Sequence, residues 1–419
     1  MQHIDSSKTT EQPAMGQEQC PVRGIHGLRS WQKTARTSEV GLPAIERDEQ
    51  GVWHVRSFAS ARAVLRSSDT KQAGFQAESM ERAQQFMRAP ILYLDGKEHN
   101  QQRKMTARFF TPKFVSEHYR LLMERQAHRI VRELKRKKQG DISQMSLVLA
   151  VGGISQIVGL TNSFPGLAPR LEAFFDFHGM TDLKQLSTHP LRLLQNQSRL
   201  FAFYFLDVIP AIRARRRQLQ QDVISHLIGQ NYNNLEILTE CLVYAAAGMI
   251  TTREFISVAA LHLLEQPELR AHYLAAPEEE RYKILHEILR IEPVVGQIHR
   301  RTTADITVEQ ADSSVVIPAG EKVSVHIYGA NEDEQMVGEH PLGLCPARQM
   351  TDNTVPDMGM SFGDGVHRCP GAYIAIQETD IFLQRLLSLD NLRIVSKPTV
   401  RWNDPVEAYE VRNFLVAVD

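Results

Sequence analysis

The sequence predicts a mainly α-helical protein with smaller β-sheet regions, an α+β fold. Helical spacing of apolar residues dominates residues 78–264, interrupted by glycine and proline. Within this stretch, residues 235–264 keep the spacing without a break, which predicts a long, buried helix. After Pro293 the pattern changes to short runs of alternating residues, which are typical of strands.

The N-terminal part is predicted to contain a disordered segment, a strand and a helix. Residues 1–20 are polar and are expected to be disordered, whereas no low-complexity linker divides residues 21–419, which are expected to form a single domain. Residues 51–58 have the pattern of a short strand. A helix is expected to follow, with Ser60 as its N-cap and Arg66 near its end.

The long central helix has recognisable end signals. Asn233 is followed three positions later by Glu236, as in a capping box, and Pro267 marks where the helix should stop. The later predicted elements are strands at 305–309 and 322–328, a turn at 318–320 and a helix at 372–387.

Composition excludes several classes of partner. The formal net charge is -1, so no general attraction to nucleic acid or to an anionic membrane is expected. The densest basic run, Arg213 with residues 215–217, is predicted to be a solvated helix end. The N-terminus lacks the apolar stretch of a signal peptide, and the run 241–250 is too short to span a bilayer. We therefore expect a cytoplasmic protein, and a monomer.

Cys369 lies in the chemically richest segment of the chain. The four cysteines lack C-x-x-C spacing, which argues against a disulfide framework or a zinc site. Gly363 and Gly365 permit a tight turn before Cys369, and Pro370 suits the first turn of a helix. A cysteine at a helix N-terminus can be a structural residue or a metal ligand.

Neighbouring groups favour the metal ligand chemically. The helix dipole, His367 and Arg368 would each stabilise a thiolate and lower the pKa of Cys369.

Two pairs of polar residues have spacings that place their side chains on one helix face. Glu287 and Arg290 stand three residues apart before Pro293, and His99 and Arg103 stand four apart. Each pair could also be an ordinary solvated pair.

The complete run 362–371, with the pattern Phe-Gly-x-Gly-x-His-x-Cys-x-Gly, resembles the cysteine-ligand loop of cytochromes P450 of the soluble bacterial type. The other motifs occur in the order found in that family. The resemblance implies the cytochrome P450 fold and haem b, iron protoporphyrin IX, as cofactor. It also implies that Cys369 is the metal ligand, bound to the haem iron as a thiolate.

The resemblance further assigns residues around the haem and in a buried network. Arg300 is implied as a propionate ligand, with neighbouring Arg301 as its competitor, and Arg348 is implied to join the pair formed by Glu287 and Arg290. The implied cofactor-binding residues are His99, Arg103, Arg300, Phe362, Gly363, His367 and Gly371.

Residues 246–252 align with the family's helix across the oxygen-binding face of the haem. Small residues Ala247 and Gly248 leave room for oxygen and substrate, or allow close helix packing, and Thr251 is the implied proton-organising alcohol. Ile250 stands where the family usually has an acid, and an aliphatic side chain cannot relay protons. Either waters held by Thr251 suffice, Glu254 takes the role, or ordinary oxygen activation is not needed.

The implied activity is a monooxygenase of secondary metabolism. It would take two electrons from a separate ferredoxin or flavodoxin with its reductase, activate O2 and hydroxylate or epoxidise an apolar small molecule. The alternatives are a peroxide-driven haem oxygenase and a non-catalytic haem sensor. A basic surface for docking the redox partner, or ordinary solubilising charge, is expected at Arg103, Lys104, Arg108 and Lys113.

The expected substrate pocket is apolar and suits terpenoid, steroid, fatty-acid or polyketide-like ligands. Family geometry implies walls from residues 72–93, 164–205, 243–251 and 294–297 and near Ala408. The individual residues expected in the pocket are Val243, Ala247, Val295, Gly296 and Gln297.

Overall fold

The computed structural model describes residues 39, 41–75, 77–175, 190–309 and 313–419. The disordered segment predicted for residues 1–20 lies outside them, as do residues 176–189 of the expected pocket walls. The α-helices are α1 Phe58–Arg66, α2 Ala77–Ala83, α3 Gly96–Thr106, α4 Pro112–His118, α5 Arg120–Lys137, α6 Ile142–Val158, α7 Leu167–Phe175, α8 Pro190–Phe203, α9 Ile209–Arg217, α10 Val223–Gly229, α11 Asn234–Ala245, α12 Thr251–Glu265, α13 Pro267–Ala275, α14 Glu278–Ile291, α15 Ile327–Asn331, α16 Glu334–Val337 and α17 Ala372–Leu387.

Four small sheets accompany these helices in the described part of the chain. The largest has the order β1-β2-β8-β5-β3, and the others pair β4-β12-β9, β6-β7 and β10-β11. The strands are β1 Ile45–Arg47, β2 Trp53–Val55, β3 Thr70–Gln72, β4 Gln139–Asp141, β5 Gln297–Thr302, β6 Ile306–Glu309, β7 Ser314–Ile317, β8 Lys322–His326, β9 Arg393–Ile394, β10 Thr399–Asn403, β11 Ala408–Arg412 and β12 Leu415–Ala417. The predicted mainly helical fold with small sheets is confirmed.

The main hydrophobic core lies among the helices. Helix α12 packs against α6, and α17 packs against α5, α12 and α14. Phe382 and Leu383 of α17 are fully buried in this core, as is Ile256 of α12. A second apolar cluster lies under the largest sheet and includes Val323 and Val325 of β8. Helices α12 and α17 are therefore fixed on several sides by apolar burial.

The sequence predicted the C-terminal helix and one cap correctly, whereas the first helix starts earlier than expected. Helix α17 has the predicted bounds, and Asn233 and Glu236 form the predicted capping box of α11. The N-cap of α1 is Ser57 and not Ser60, because Ser57 has an extended backbone and its hydroxyl accepts the Ser60 N–H. The strand predicted at 51–58 is confined to β2.

The central helix is interrupted where continuous α-helix was expected. Between α11 and α12, Ala246–Ile250 form a π-helical turn, and α12 ends at Glu265, just before the first residue of α13, Pro267. A π-turn inserts one extra residue into the helical ladder, so it shifts the faces that follow. Apolar spacing alone does not reveal such a shift.

The basic run expected at a solvated helix end is only partly exposed. Arg213, Arg216 and Arg217 are exposed at the end of α9, whereas Arg215 is buried, where its Nε donates to Asp222 at 2.6 Å. The combined segment Asn234–Glu265 has the length and composition of a membrane-crossing helix, although the apolar run 241–250 alone does not. Half of its most apolar window is buried inside the protein, which is how a core helix passes the same test.

Candidate functional site

The loop before α17 presents Cys369 through a network of backbone hydrogen bonds. The Cys369 N–H donates to the Phe362 carbonyl at 2.8 Å, and the Arg368 N–H donates to the Gly365 carbonyl at 3.2 Å. Gly365 has φ of +67°, and a Cβ there would lie 2.2 Å from the Leu65 carbonyl oxygen. The close approach of α1 therefore requires glycine at this position.

The electrostatics of Cys369 differ from the sequence prediction. Helix α17 begins at Ala372 with Gly371 as N-cap, so Pro370 and Cys369 precede the helix. The pKa of Cys369 is raised, chiefly by burial, while the Gly371 N–H, Arg103 and Arg368 act to lower it. The thiol has exposed surface, yet protein surrounds most of it, and we take burial as the deciding influence. In this environment the expectation of a lowered pKa is wrong, because desolvation outweighs the neighbouring donors.

Cys369 opens onto a cavity that extends to the central helix. The cavity encloses about 900 Å³ between protein atoms, part of it open to solvent. Ala247 and Gly248 of the π-turn line it opposite the Cys369 loop, together with Val243 of α11. The cavity thus brings together residues predicted from two separate motifs, the Cys369 loop and the central helix.

A cluster of basic groups lies beside the cavity, gathered around one carboxylate. His367 Nε2 lies 3.0 Å from Asp95 Oδ1, and the His99 ring stacks on His367 at 4.0 Å between centroids. Arg300 is buried on β5, where it donates to Gln72 and to the His299 carbonyl. The charge of Asp95 acts to raise the pKa of both Arg300 and His99.

Burial, more than charge repulsion, shifts the pKa values in this cluster of basic groups. Burial lowers the pKa of His99 to about 4, with repulsion from His367 and Arg103 adding to the effect. Burial also lowers the pKa of Arg300 to about 10, opposed by Asp95. His99 Nδ1 is buried without a hydrogen-bond partner among the described residues. An anion bound beside these groups would raise the pKa of both His99 and Arg300.

The two candidate arginines on β5 occupy different environments. Arg301 points to the surface, where it donates to Glu78 at 2.5 Å and to the Gly320 carbonyl at 2.9 Å.

Arg103 lines the cavity and donates to the Arg368 carbonyl. Arg103 is therefore less exposed than a residue that docks a redox partner should be. The other three residues of the expected docking surface, Lys104, Arg108 and Lys113, are exposed.

The structure brings the predicted network of three charged residues together. Arg290 Nε donates to Glu287 Oε2 at 2.7 Å, and Arg348 Nε donates to Glu287 Oε1 at 3.0 Å. The Cys345 N–H also donates to Glu287, and carbonyl oxygens accept the remaining Arg290 hydrogens. Glu287 and Arg290 are buried, and these bonds offset their desolvation.

The central helix places its two threonines differently. Thr251 donates its hydroxyl proton to the Ala247 carbonyl, whereas Thr252 lines the cavity. Ile250 packs against the main core. Glu254 is bound by Arg253 at 3.0 Å, Arg412 at 2.5 Å and the Val411 N–H at 3.0 Å. Because these partners occupy both of its carboxyl oxygens, Glu254 is poorly placed to replace the missing acid.

The remaining predicted pocket residues lie where β5 begins. Gly296 donates its N–H to the Val406 carbonyl at 2.9 Å, and a Cβ there would lie 1.9 Å from the Glu407 carbonyl oxygen. The Gln297 side-chain oxygen accepts a hydrogen bond from the Ser324 hydroxyl of β8, so this oxygen is bonded within the sheet. Val295 is half-buried beside them.

The described residues fit a thiolate-ligated haem. A cysteine sulfur faces the cavity, the wall opposite it has small residues, and the basic cluster has unmet capacity for anions such as haem propionates. None of the described residues forms a cluster of His, Cys, Asp or Glu suited to a bare metal ion.

Comparisons with known proteins agree with this geometry. The sequence profile described as Cytochrome P450 matches residues 282–402, which include Cys369 and the Glu287 network. This profile, the related proteins and the solved structures all indicate that the chain is a bacterial-type cytochrome P450. It is a haem-dependent monooxygenase of the bacterial type, an oxidoreductase that acts on organic substrates with O2 and redox partners.

Related P450s cover most of the chain. The erythromycin C-12 hydroxylase of Saccharopolyspora erythraea is 26% identical over 372 residues, 86% of each protein. The mycinamicin IV hydroxylase/epoxidase of Micromonospora griseorubida is 24% identical and covers 92% of this chain and 94% of its own length. The crystal structure of CalO2 matches the fold with a TM-score of 0.73 at 19% identity, covering 91% of this chain and 94% of CalO2.

Sequence reasoning missed two residues of this P450 site. Asp95 and Glu378 had no place in the predicted site, yet Asp95 organises the basic cluster and Glu378 lines the cavity. Tyr244, within the expected wall 243–251, also lines it. Asp95 could have been noticed because it stands four residues before His99, at the start of α3. Glu378 lies nine positions after Cys369 on the predicted helix, and no local pattern marks a buried acid there.

Proposed function

We propose that the protein would bind haem b through the Cys369 thiolate as the iron ligand and that it oxidises an apolar small molecule by hydroxylation or epoxidation. The observation that supports this most is the cavity between Cys369 and the π-turn of the central helix. Bound in this way, a thiolate-ligated haem supplies O2 activation and O–O cleavage. The residues of the chain itself bind and orient the reactants and deliver protons.

The basic cluster has the chemistry needed to hold the haem propionates. His99, Arg103, Arg300 and His367 are proposed to donate to them, with Asp95 orienting His367. Phe362, Gly363 and Gly371 belong to the loop around the ligand sulfur, where Phe362 is proposed to pack beside it. Glu287, Arg290 and Arg348 are proposed as the structural network that holds the preceding segment in place.

Electrons are proposed to come from a separate ferredoxin or flavodoxin with its reductase. Lys104, Arg108 and Lys113 are exposed and follow Arg103, which donates to the Arg368 carbonyl of the Cys369 loop, so we propose that they attract an acidic partner. Arg103 is excluded from that surface because it lines the cavity.

The substrate is proposed to be an apolar molecule that reaches the cavity beside the central helix. Val243, Ala247 and Ile154 give the cavity an apolar wall, which suits such ligands. Val295, Gly296 and Gln297 remain proposed pocket residues. Relatives are named for oxidation of erythromycin, mycinamicin, a steroid and a methyl-branched lipid, so polyketide-like, steroid and fatty-acid ligands are all proposed.

Substrate binding and electron supply can be tested together. Purified protein loaded with haem is screened against macrolides, steroids, terpenoids and fatty acids for a substrate-induced change of iron spin state. Each compound that binds is then incubated with ferredoxin, its reductase and NAD(P)H, or with hydrogen peroxide alone. The proposal expects product with the electron donors. Product with peroxide alone would establish a peroxide-driven enzyme, and binding without any product would establish a sensor.

The neighbouring arginines on β5 provide a matched test of the haem site. Arg300→Leu should weaken haem binding roughly 10–100-fold, because one hydrogen bond to a charged group contributes about 1.5–3 kcal/mol. Arg301→Leu should leave haem affinity unchanged, since Arg301 pairs with Glu78 at the surface. Transfer of haem to an excess of apomyoglobin measures both. Equal loss in the two variants would contradict the assignment of Arg300.

A further inference from the structure

Glu240 is a buried acid in the second turn of α11. It has 1% of its surface exposed and is bonded to two segments that lie earlier in the chain. Its Oε1 accepts the Ile91 N–H at 3.1 Å and the Gln102 side-chain amide at 2.8 Å. Its Oε2 has no hydrogen-bond partner among the described residues. Burying a carboxyl group with one oxygen unpartnered is costly, so its presence calls for an explanation.

The two partners of Glu240 belong to the linings of two different cavities. Ile91 lines the cavity that Cys369 faces. Gln102 of α3 lines a second cavity of about 1340 Å³, which is partly open to solvent and is also bordered by Tyr232. Glu240 therefore joins an apolar residue of the first cavity wall to a polar residue of the second.

Residues 88–91 are attached to α11 by carboxyl groups. The Arg88 N–H donates to Glu236 Oε1 at 3.2 Å, one helical turn before Glu240. Ile91 begins the single 3₁₀ turn Ile91–Tyr93, and the first N–H of such a turn has no acceptor within it. Glu240 thus accepts an N–H that the local backbone leaves free.

Among the described residues, no opposite charge pairs with Glu240. Burial raises the pKa of Glu240 to about 7, while the hydrogen bonds from Gln102 and Ile91 act to lower it. The charges on the elements packed around it do not alter this pKa. The ionisable groups on those elements are Arg88, Arg103, Asp222, His226, Tyr232, Glu236, Cys241 and Tyr244.

Ionisation of Glu240 opposes its burial. A carboxylate costs far more to bury than a neutral carboxyl group, and Glu240 Oε2 has no donor in the described structure to offset that cost. Water can bind this oxygen once residues 88–91 separate from α11, because the second cavity beside Gln102 is open to solvent. Separation should therefore become easier as the pH rises from about 4.5, the ordinary pKa of a glutamate, to about 7, and should level off above that.

We propose that Glu240 is a positioning residue, whose neutral carboxyl group holds residues 88–91 and the Ile91 wall of the cavity against α11 and whose carboxylate releases them. The inference rests on the proposed function in one respect, because the haem reports ligands in the cavity. Ligands in the cavity are then held more tightly in mild acid than in mild base.

Hydrogen exchange measures the separation directly. The peptide that contains Ile91 is followed by mass spectrometry at about pH 5.5 and about pH 7.5 in wild type and in Glu240→Gln, whose neutral side chain keeps an acceptor for the Ile91 N–H at both. Dividing the wild-type rate by the rate of the variant removes the intrinsic effect of pH on exchange. This ratio should rise at least about tenfold, since a difference of one pKa unit is a factor of ten. A constant ratio would overturn the proposal.

Gln102→Leu separates ionisation from packing. The substitution removes a hydrogen bond that lowers the pKa of Glu240, so the rise in exchange should continue to higher pH before it levels off. Gln101→Leu is the matched control, because Gln101 lies beside it on α3 and lines the second cavity without bonding to Glu240. Faster exchange in Gln102→Leu with an unchanged levelling pH would mean that packing alone controls the segment, and the proposal would fail.

Binding of azoles to the haem-loaded protein tests the cavity wall. Imidazole is small, whereas 4-phenylimidazole carries a second ring that extends into the cavity. Over the same pH range, wild-type affinity for 4-phenylimidazole should fall roughly fourfold relative to Glu240→Gln, the effect of losing one buried methylene contact. Affinity for imidazole should change equally in both proteins.

The azole results also separate the two proposals. An equal change for 4-phenylimidazole in both proteins would refute the positioning of the cavity wall by Glu240. A wild type that binds neither haem nor imidazole would instead count against the proposed function, while hydrogen exchange still decides the role of Glu240.

Discussion

Cys369→Ser should remove thiolate ligation and with it monooxygenase turnover. The loss should exceed the roughly 10–100-fold that an outer-shell partner of a metal ligand usually costs, because the ligand itself is replaced. The reduced carbonyl complex reports the change directly, since thiolate ligation gives a strongly red-shifted haem band that serine cannot reproduce. Product formation with ferredoxin, its reductase and NAD(P)H should fall to background.

Cys345→Ala is the matched cysteine control. Cys345 is buried beside the Glu287 network and lies outside the cavity lining around Cys369. Its variant should keep the red-shifted band. A Cys369→Ser protein that retained the band would mean that another group binds the iron, and the assignment of the axial ligand would be wrong.

Glu287→Gln should cause the largest loss of stability among the charged residues discussed above. The substitution leaves Arg290 and Arg348 without the carboxylate that both of them contact, and Arg290 has no exposed surface. Removing one partner of a buried ion pair costs about 3–5 kcal/mol, because the remaining charge is uncompensated. Urea unfolding followed by circular dichroism measures the difference in the free energy of unfolding.

Glu133→Gln provides the surface comparison for that measurement. Glu133 pairs with Arg136 in the same i,i+3 spacing, but both side chains are largely exposed. Its loss should leave the unfolding midpoint unchanged, since exposed pairs contribute little. Equal midpoints for Glu287→Gln and wild type would show that the buried network does not stabilise the fold.

The Glu287 network also makes the stability of the folded protein depend on pH. Burial raises the pKa of Glu287, but Arg290 and Arg348 outweigh it and hold the pKa below its ordinary value. The stabilisation is therefore complete above the pKa of an unfolded glutamate and is lost as the pH falls through the folded value. Stability of wild type should decline in acid more steeply than that of Glu287→Gln.

Local signals made much of this P450 predictable from sequence. The helix at 372–387 and the capping box at Asn233 follow from spacing over a few residues, and they are present as expected. The contacts of Glu287 with Arg290 and Arg348 follow from family motifs whose members lie up to 61 residues apart.

Other features depend on packing between distant segments. Glu378 lies against Gly153 and lines the same cavity as Thr252 because α6, α12 and α17 pack together, and no spacing within α17 reveals this. The pKa of Cys369 was predicted from its neighbours in sequence, whereas burial by the surrounding fold decides its direction. Chemistry that depends on desolvation is therefore the part that sequence patterns describe least well.

The π-turn at Ala246–Ile250 gives the central helix a place where a change of chain length can be absorbed. The turn holds one more residue than an α-helical turn, so deleting one residue here would close the ladder as regular α-helix and leave α11 and α12 in nearly their present orientation. A deletion elsewhere in the helix would instead rotate one half against the other by about 100°. A single codon lost within this turn should therefore disturb the buried faces of α11 and α12 far less than the same loss a few residues away.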